Sequence, residues 1–91
     1  MRRRIALLGA TGSIGASTLS VIAAHRDRFT LVAASAHTRE TELLKIGEAH
    51  TGANLALSGA ETARPEIAYR GTGGLLDLVR ETDADVIVNG I

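Results

Sequence analysis

Apolar and polar residues alternate along the chain in blocks that predict four strands separated by three helices. Continuous apolar runs, typical of strands buried on both faces, occur at residues 4–9, 29–36, 53–57 and 85–89. Residues 13–25, 38–50 and 73–82 carry apolar side chains at helical spacing. A polar connection at residues 58–71 contains Pro65 and can hold a short strand at residues 67–69. Thr38 or Thr41 is expected to cap the second helix.

This alternation predicts an α/β fold with a Rossmann-like, doubly wound parallel sheet. We expect right-handed crossovers and about four strands in the order 3-2-1-4, which is the order at the start of such a fold. The last apolar run is followed by no element that would cover it. We therefore expect the sheet to be incomplete and residues 1–91 to form the N-terminal domain of a longer protein.

Composition and charge exclude several classes of protein. The 91 residues contain 10 Lys+Arg, 10 Asp+Glu and no cysteine, which excludes disulfides and thiolate metal sites and argues against a nucleic-acid partner. No apolar run is long enough for a membrane helix, so we expect a cytoplasmic protein. His25, His37 and His50 are too far apart for a metal motif and are expected at helix ends or turns. Asp83 and Asp85 are interpreted as a turn, which leaves no metal site within this chain.

Three glycines separate the first strand from the first helix, at the position that a dinucleotide-binding loop requires. Gly9 allows a sharp exit from the strand, Gly12 lets backbone N–H groups approach a pyrophosphate, and Gly15 lets the helix pack close to the sheet. Thr11 and Ser13 add hydroxyl donors. The G-x-x-G-x-x-G spacing is one residue longer than the dinucleotide fingerprint, so a tight turn that binds nothing remains an alternative.

The end of the second strand favours NADP over NAD. An NAD site usually places an acid there to hold the ribose 2′-hydroxyl, but the first acid after this strand is Glu40. His37, Thr38 and Arg39 stand at that position instead and suit a 2′-phosphate. The alternative is a solvated turn in which Thr38 caps the next helix, and the two interpretations are compatible.

A longer stretch around the glycines resembles a known family. GATGSIGASTLSVI at residues 9–22 resembles the N-terminal loop and first helix of 1-deoxy-D-xylulose 5-phosphate reductoisomerases. The similarity continues through FTLVAASA at residues 29–36 and resumes in GLL at residues 74–76 and DVIVNGI at residues 85–91. The family's T-G-S-I-G followed by S/T-T-L-x-V is far more specific than a glycine triplet.

The resemblance implies an NADPH-dependent enzyme of the non-mevalonate isoprenoid route. The family rearranges 1-deoxy-D-xylulose 5-phosphate and reduces the product to 2-C-methyl-D-erythritol 4-phosphate, using a divalent metal such as Mg or Mn. By this resemblance the cofactor phosphates would be contacted by Thr11, Gly12, Ser13 and Ile14. The adenosine ribose phosphate would be surrounded by Ala36, His37, Thr38 and Arg39, and the nicotinamide half would be approached by the segment around Asn89, Gly90 and Ile91.

The resemblance also implies a homodimer, with catalytic and metal-binding residues further along a full-length chain. The location would be cytoplasmic, or a plastid in a eukaryote, although no transit peptide is seen. We hypothesise that these 91 residues alone are inactive. Many members carry a G-K-N-like stretch where this chain has His37, Thr38 and Arg39, so the share of each residue in binding phosphate stays open.

Two other functions are compatible with the same loop. One is a different NADP-dependent oxidoreductase, such as a semialdehyde dehydrogenase, whose loop often begins G-A-T-G. The S-T-L-S-V-I continuation at residues 17–22 disfavours it. The other is a non-catalytic module that binds NADP to sense redox state. A catalytic domain after Ile91 would separate the enzyme from the sensor.

Overall fold

A computed structural model describes residues 2–91 and contains five strands and three helices. The elements are β1 (Arg3–Leu8), α1 (Ser13–Ala24), β2 (Phe29–Ala36), α2 (Glu40–Ala49), β3 (Asn54–Leu57), β4 (Tyr69–Arg70), α3 (Gly71–Glu81) and β5 (Val86–Asn89). The α/β class and every predicted helix and main strand are confirmed, with ends that shift by only a few residues.

All five strands form one parallel sheet in the order β4-β3-β2-β1-β5. The four predicted strands keep the predicted order, because the fourth of them is β5 and lies beside β1. The difference is the additional edge strand β4, which pairs Tyr69 and Arg70 with the end of β3. Two residues are too few to produce an apolar run, so the pattern indicated this strand only weakly.

The core lies on both faces of the sheet, as a doubly wound fold requires. One layer buries larger side chains of the strands against Ile22 of α1 and Leu43 of α2. The opposite layer packs Leu78 of α3 against the alanines of three neighbouring strands, which are Ala6, Ala33 and Ala56. Small residues on this face let α3 approach the sheet closely, because their short methyl side chains reduce the distance between the layers.

A bulge in β2 changes which of its residues face each layer. Ile5 pairs with Leu31 but the next residue, Ala6, pairs with Ala33, so one residue of β2 is extra at this point. Leu31 and Ala34 consequently belong to the same core layer although three positions separate them. The bulge sets the direction of the side chains at the end of β2.

The predicted cap of α2 is wrong. Arg39 is the N-cap residue, and neither Thr38 nor any other side chain caps the helix through a hydrogen bond. Thr38 instead accepts the Glu40 N–H through its carbonyl, at 2.9 Å, because the chain enters the helix through a tight bend. The expectation for His25 and His50 is confirmed, since they are the C-cap residues of α1 and α2.

His50 is buried at the sheet edge opposite the glycine loop, and only 8% of its surface is exposed. Burial lowers the pKa of His50 below its usual 6.5, and the nearby Arg26 guanidinium lowers this pKa further. Arg26 is held there by a hydrogen bond of 3.0 Å that its guanidinium donates to the Ala49 carbonyl.

We therefore expect acid to weaken the fold through His50. The folded state disfavours the imidazolium, so this contribution to stability is complete above pH 6.5 and is lost as the pH falls from 6.5 through the lowered pKa. Urea denaturation between about pH 8 and pH 5 should show a smaller loss for His50→Gln than for the unmodified chain. His25→Gln, at an exposed site, should retain the original pH dependence. An identical loss in all three proteins would contradict the prediction.

Candidate functional site

The candidate site is a cleft at the carboxyl ends of β1, β2, β3 and β5. Ligands of open α/β sheets bind at this edge, where the order of strands reverses, and here the reversal is at β1. The cleft has a volume of about 230 Å³. Its lining consists of Gly9, Thr11, Gly12, Ser35, His37, Ser58, Gly90 and Ile91. A wider open hollow of about 640 Å³ meets it at Ser58 and extends along residues 58–62 to Arg70 and Gly71.

The exit from β1 is held by Gly9 and by the end of β2. Gly9 has a φ of +74°, a left-handed conformation that favours glycine. Its N–H donates to the Ser35 hydroxyl at 3.1 Å, and the next N–H, of Ala10, donates to the Ser35 carbonyl at 2.7 Å. Ser35 is only 2% exposed, so the first turn of the loop is hydrogen-bonded to a buried residue.

The N-terminus of α1 leaves backbone donors available at the cleft. Gly12 is the N-cap residue, and no side chain caps the helix. Within residues 2–91, the N–H groups of Ser13, Ile14 and Gly15 have no acceptor, whereas the Ala16 N–H donates to the Gly12 carbonyl at 2.9 Å. No acidic residue occupies the first turn. Free N–H groups and the positive end of the helix dipole are suited to phosphate.

Close backbone packing fixes this helix against the loop. A Cβ added at Gly15 would lie 2.7 Å from the Ala10 Cα and closer still to the Ala10 carbonyl. A Cβ at Gly90 would lie 3.2 Å from the carbonyl oxygens of Leu8 and Gly9. The predicted role of Gly15 in close packing therefore agrees with the geometry, and Gly90 has a similar role beside it.

The residues after β2 contribute unequally to the cleft. His37 is exposed and lines it, while Ala36 is buried just before it and accepts the Ser58 N–H at 3.0 Å. Thr38 and Arg39 are exposed but do not belong to the lining. The structure thus brings His37 to the glycine loop and leaves the other two polar residues of this group outside the lining.

The last strand completes the opposite wall. The Gly90 N–H donates to the Leu8 carbonyl at 2.7 Å, which ties the segment after β5 to the end of β1. Asn89 is exposed, and its side-chain oxygen accepts the Ile91 N–H at 3.0 Å. Asn89 therefore shapes the turn that places Gly90 and Ile91 in the lining, and is not itself a lining residue.

Sequence reasoning missed Ser35 and Ser58. Both lie at the carboxyl end of a strand, since Ser35 is the penultimate residue of β2 and Ser58 is the first residue after β3. A hydroxyl at the carboxyl end of a parallel strand is a signal that could have identified them. Their contacts with Gly9 and His37 join residues 26 and 21 positions apart, which no local pattern reports.

The lining of the cleft is better suited to an anion than to a metal ion. No carboxylate lines the cleft, and His37 is the ionisable side chain among its lining residues. Within residues 2–91 no three His, Cys, Asp or Glu side chains are grouped so that they could hold a metal.

In the same part of the chain, no helix has the length and apolar character needed to cross a membrane.

Comparison with known proteins gives a consistent result. The family model described as 1-deoxy-D-xylulose 5-phosphate reductoisomerase matches residues 5–91. The chain is 41% identical over 93 residues to the reductoisomerase of that name from Mycobacterium leprae, covering 99% of this chain and 23% of the relative. It is 37% identical over 103 residues to the one from Paraburkholderia xenovorans, covering 100% of this chain and 25% of the relative. The chain therefore spans about a quarter of the length of these relatives.

Solved structures share the fold. A crystal structure of DOX-P reductoisomerase in complex with magnesium has a TM-score of 0.61 and 25% identity, covering 99% of this chain and 20% of that protein. The Zymomonas mobilis reductoisomerase in complex with NADPH also has a TM-score of 0.61, with 23% identity, covering 99% of this chain and 21% of that protein. At that identity the second likeness concerns the fold alone.

Proposed function

Since the chain belongs to the 1-deoxy-D-xylulose 5-phosphate reductoisomerase family, we propose that residues 1–91 form the NADP(H)-binding domain of a longer enzyme of this family. The whole enzyme would convert 1-deoxy-D-xylulose 5-phosphate into 2-C-methyl-D-erythritol 4-phosphate in isoprenoid biosynthesis. NADPH, when bound, would supply the hydride that reduces the aldehyde intermediate. The task of this chain is to bind the cofactor and orient it.

The observation that carries the proposal is the uncapped N-terminus of α1 beside the glycine loop. Three N–H groups there, of Ser13, Ile14 and Gly15, have no acceptor within residues 2–91. A pyrophosphate would accept from them, because charge-assisted hydrogen bonds to phosphate are stronger than those to water. The absence of a side chain at Gly12 leaves room for that approach, and the Thr11 and Ser13 hydroxyls would add donors.

The two ends of the cofactor would lie at opposite walls of the cleft. His37 would contact the 2′-phosphate, with Ala36, Thr38 and Arg39 around it, since an imidazole suits an anion in a cleft that no carboxylate lines. The turn around Asn89 would approach the nicotinamide half from the other side. We propose no catalytic residue in this chain.

The divalent metal of the family does not fit residues 2–91, because these contain no group of three potential ligands. We propose that the metal and the phosphorylated sugar bind elsewhere in the full-length enzyme. We also propose that this enzyme is a homodimer and has no nucleic-acid partner.

Titration of the ¹⁵N-labelled chain with NADPH and NADH tests the cofactor assignment. NADPH should shift the amide signals of Gly12, Ser13 and residues 37–39, because both phosphate positions are then occupied. NADH should shift the loop signals alone, since it lacks the 2′-phosphate. A dispersed spectrum in which neither cofactor moves these amides would reject the site. A turnover assay of the full-length protein with 1-deoxy-D-xylulose 5-phosphate then tests the reaction.

A further inference from the structure

The segment that follows β3 holds the backbone and ring of His37. The Gly59 N–H donates to the His37 carbonyl at 2.6 Å, and the Ser58 N–H donates to the Ala36 carbonyl at 3.0 Å. These two bonds join the two residues that follow β3 to the last residue of β2 and to His37 after it. The position of His37 at the cleft is therefore set by residues more than 20 positions away in the sequence.

The imidazole of His37 packs directly on Gly59. A Cβ added at Gly59 would lie 2.5 Å from Nε2 of His37 and closer still to two other ring atoms. Gly59 is not among the glycines with positive φ, so its backbone conformation is open to any residue. Any side chain at position 59 would therefore collide with the His37 ring in its present position.

Ser58 supports the ring at the same edge. Its hydroxyl oxygen lies 3.4 Å from Nδ1 of His37 and also donates to the Ala36 carbonyl at 3.4 Å. When the hydroxyl turns to donate to Nδ1, the ring proton is on Nε2, which can then donate to a ligand oxygen. Ser58 also lines the cleft itself, so the pair His37 and Ser58 forms one wall of it.

We propose that Ser58 and Gly59 are positioning residues that hold the His37 imidazole where the 2′-phosphate of the cofactor binds, and so set the preference for NADPH over NADH. The inference rests on the proposed function of the cleft. His37, with its support, would distinguish NADPH from NADH, because His37 is the ionisable side chain of the lining. Thr38 and Arg39 lie outside the lining. A side chain at position 59 would displace the ring from the phosphate position, and loss of the Ser58 hydroxyl would remove its contact with Nδ1.

The test compares two ligands that differ by the 2′-phosphate alone, 2′,5′-ADP and 5′-AMP, by calorimetric titration of the intact protein. Gly59→Ala should keep the fold, because its Cβ meets the end of a flexible, exposed side chain that can swing away. We expect it to weaken 2′,5′-ADP about tenfold, the size of one lost hydrogen bond to a charged group, and to leave 5′-AMP within about twofold.

Four further variants distinguish a positioning role of Gly59 from a general disturbance of the cleft. Gly73→Ala is the matched control, because a Cβ there meets nothing within 4 Å, and it should leave both affinities unchanged. His37→Ala should remove the preference, and adding Gly59→Ala to it should cause no further loss, since both act through one ring. Ser58→Ala should weaken 2′,5′-ADP in the same direction as Gly59→Ala.

The possible outcomes distinguish this inference from the function on which it rests. If the unmodified protein binds neither ligand, the cofactor site itself is rejected and the inference falls with it. If it prefers 2′,5′-ADP and Gly59→Ala keeps that preference, the cofactor site stands and the positioning role is overturned. A loss of both ligands in Gly59→Ala, or additive losses in the double variant, would likewise overturn it.

Discussion

Gly15→Ala is expected to reduce the free energy of unfolding by about 3 kcal/mol, a large part of the roughly 5–10 kcal/mol available to a domain of this size. The new Cβ would lie 2.7 Å from the Ala10 Cα and closer to its carbonyl. The position of the new Cβ is fixed by its own backbone and the Ala10 atoms are backbone too, so no side chain can rotate to relieve the contact. Ala10 cannot withdraw, because it is buried and its N–H is bonded to the Ser35 carbonyl.

Relief therefore requires α1 to move away from the loop, and this movement would also displace the free N–H groups of the candidate phosphate site. Urea denaturation followed by circular dichroism measures the loss of stability. Gly73→Ala is the control for adding a methyl group to a helix, since a Cβ there has no neighbour within 4 Å. It should change stability by at most about 1 kcal/mol, in the stabilising direction, because alanine favours helix more than glycine does. Equal stability of Gly15→Ala and the unmodified chain would contradict the packing described above.

Gly9→Ala is expected to cost about 3–4 kcal/mol, from two separate sources. The first is conformational, because Gly9 has a φ of +74°, where a side chain meets the following carbonyl. The second is a collision, since the new Cβ would lie 2.8 Å from the Gly90 carbonyl carbon and 3.0 Å from the Ile91 nitrogen. The collision would separate the end of β1 from the end of β5 and open one wall of the cleft.

Gly52→Ala isolates the conformational part of that loss. Gly52 also has a positive φ, of +90°, but a Cβ there meets nothing within 4 Å. It should cost only the roughly 1–2 kcal/mol of a left-handed L-residue. The difference between the two unfolding free energies then measures the contact with Gly90. If both variants lose the same amount, the close approach of Gly9 and Gly90 does not contribute to stability.

Much of the fold could be predicted because it depends on local patterns. The apolar runs of β1 and β2 and the helical spacing of α1, α2 and α3 are properties of neighbouring residues. The order of the four predicted strands followed from the Rossmann-like pattern of alternating strands and helices, for which 3-2-1-4 is the usual order. Strand β4 was harder, since it consists of Tyr69 and Arg70 and depends on pairing with β3. The cap of α2 failed for a similar reason, because the bend at Arg39 decides where the Thr38 side chain can reach.

Local patterns also predicted only part of the candidate site. Gly9, Gly12 and Gly15 were identifiable because their spacing between a strand and a helix has a known physical meaning. The grouping of His37, Thr38 and Arg39 was predicted as a unit, but only His37 reaches the lining. Ser35 and Ser58 were not predicted, since their roles are contacts with Gly9 and His37 across neighbouring strands.

The sequence by itself thus determined the α/β class, the glycine loop at the start of α1 and the resemblance to the reductoisomerase family. Each of these depends on residues that are close together in the sequence. The tertiary structure alone decided which side chains share the cleft. Strand pairing and the bulge in β2 set the direction of the side chains at the end of β2. Pairing with β3 brings Gly59 against the His37 ring. A local pattern specifies the period of an element, whereas the meeting of distant residues depends on register, and register exists only once the sheet has formed.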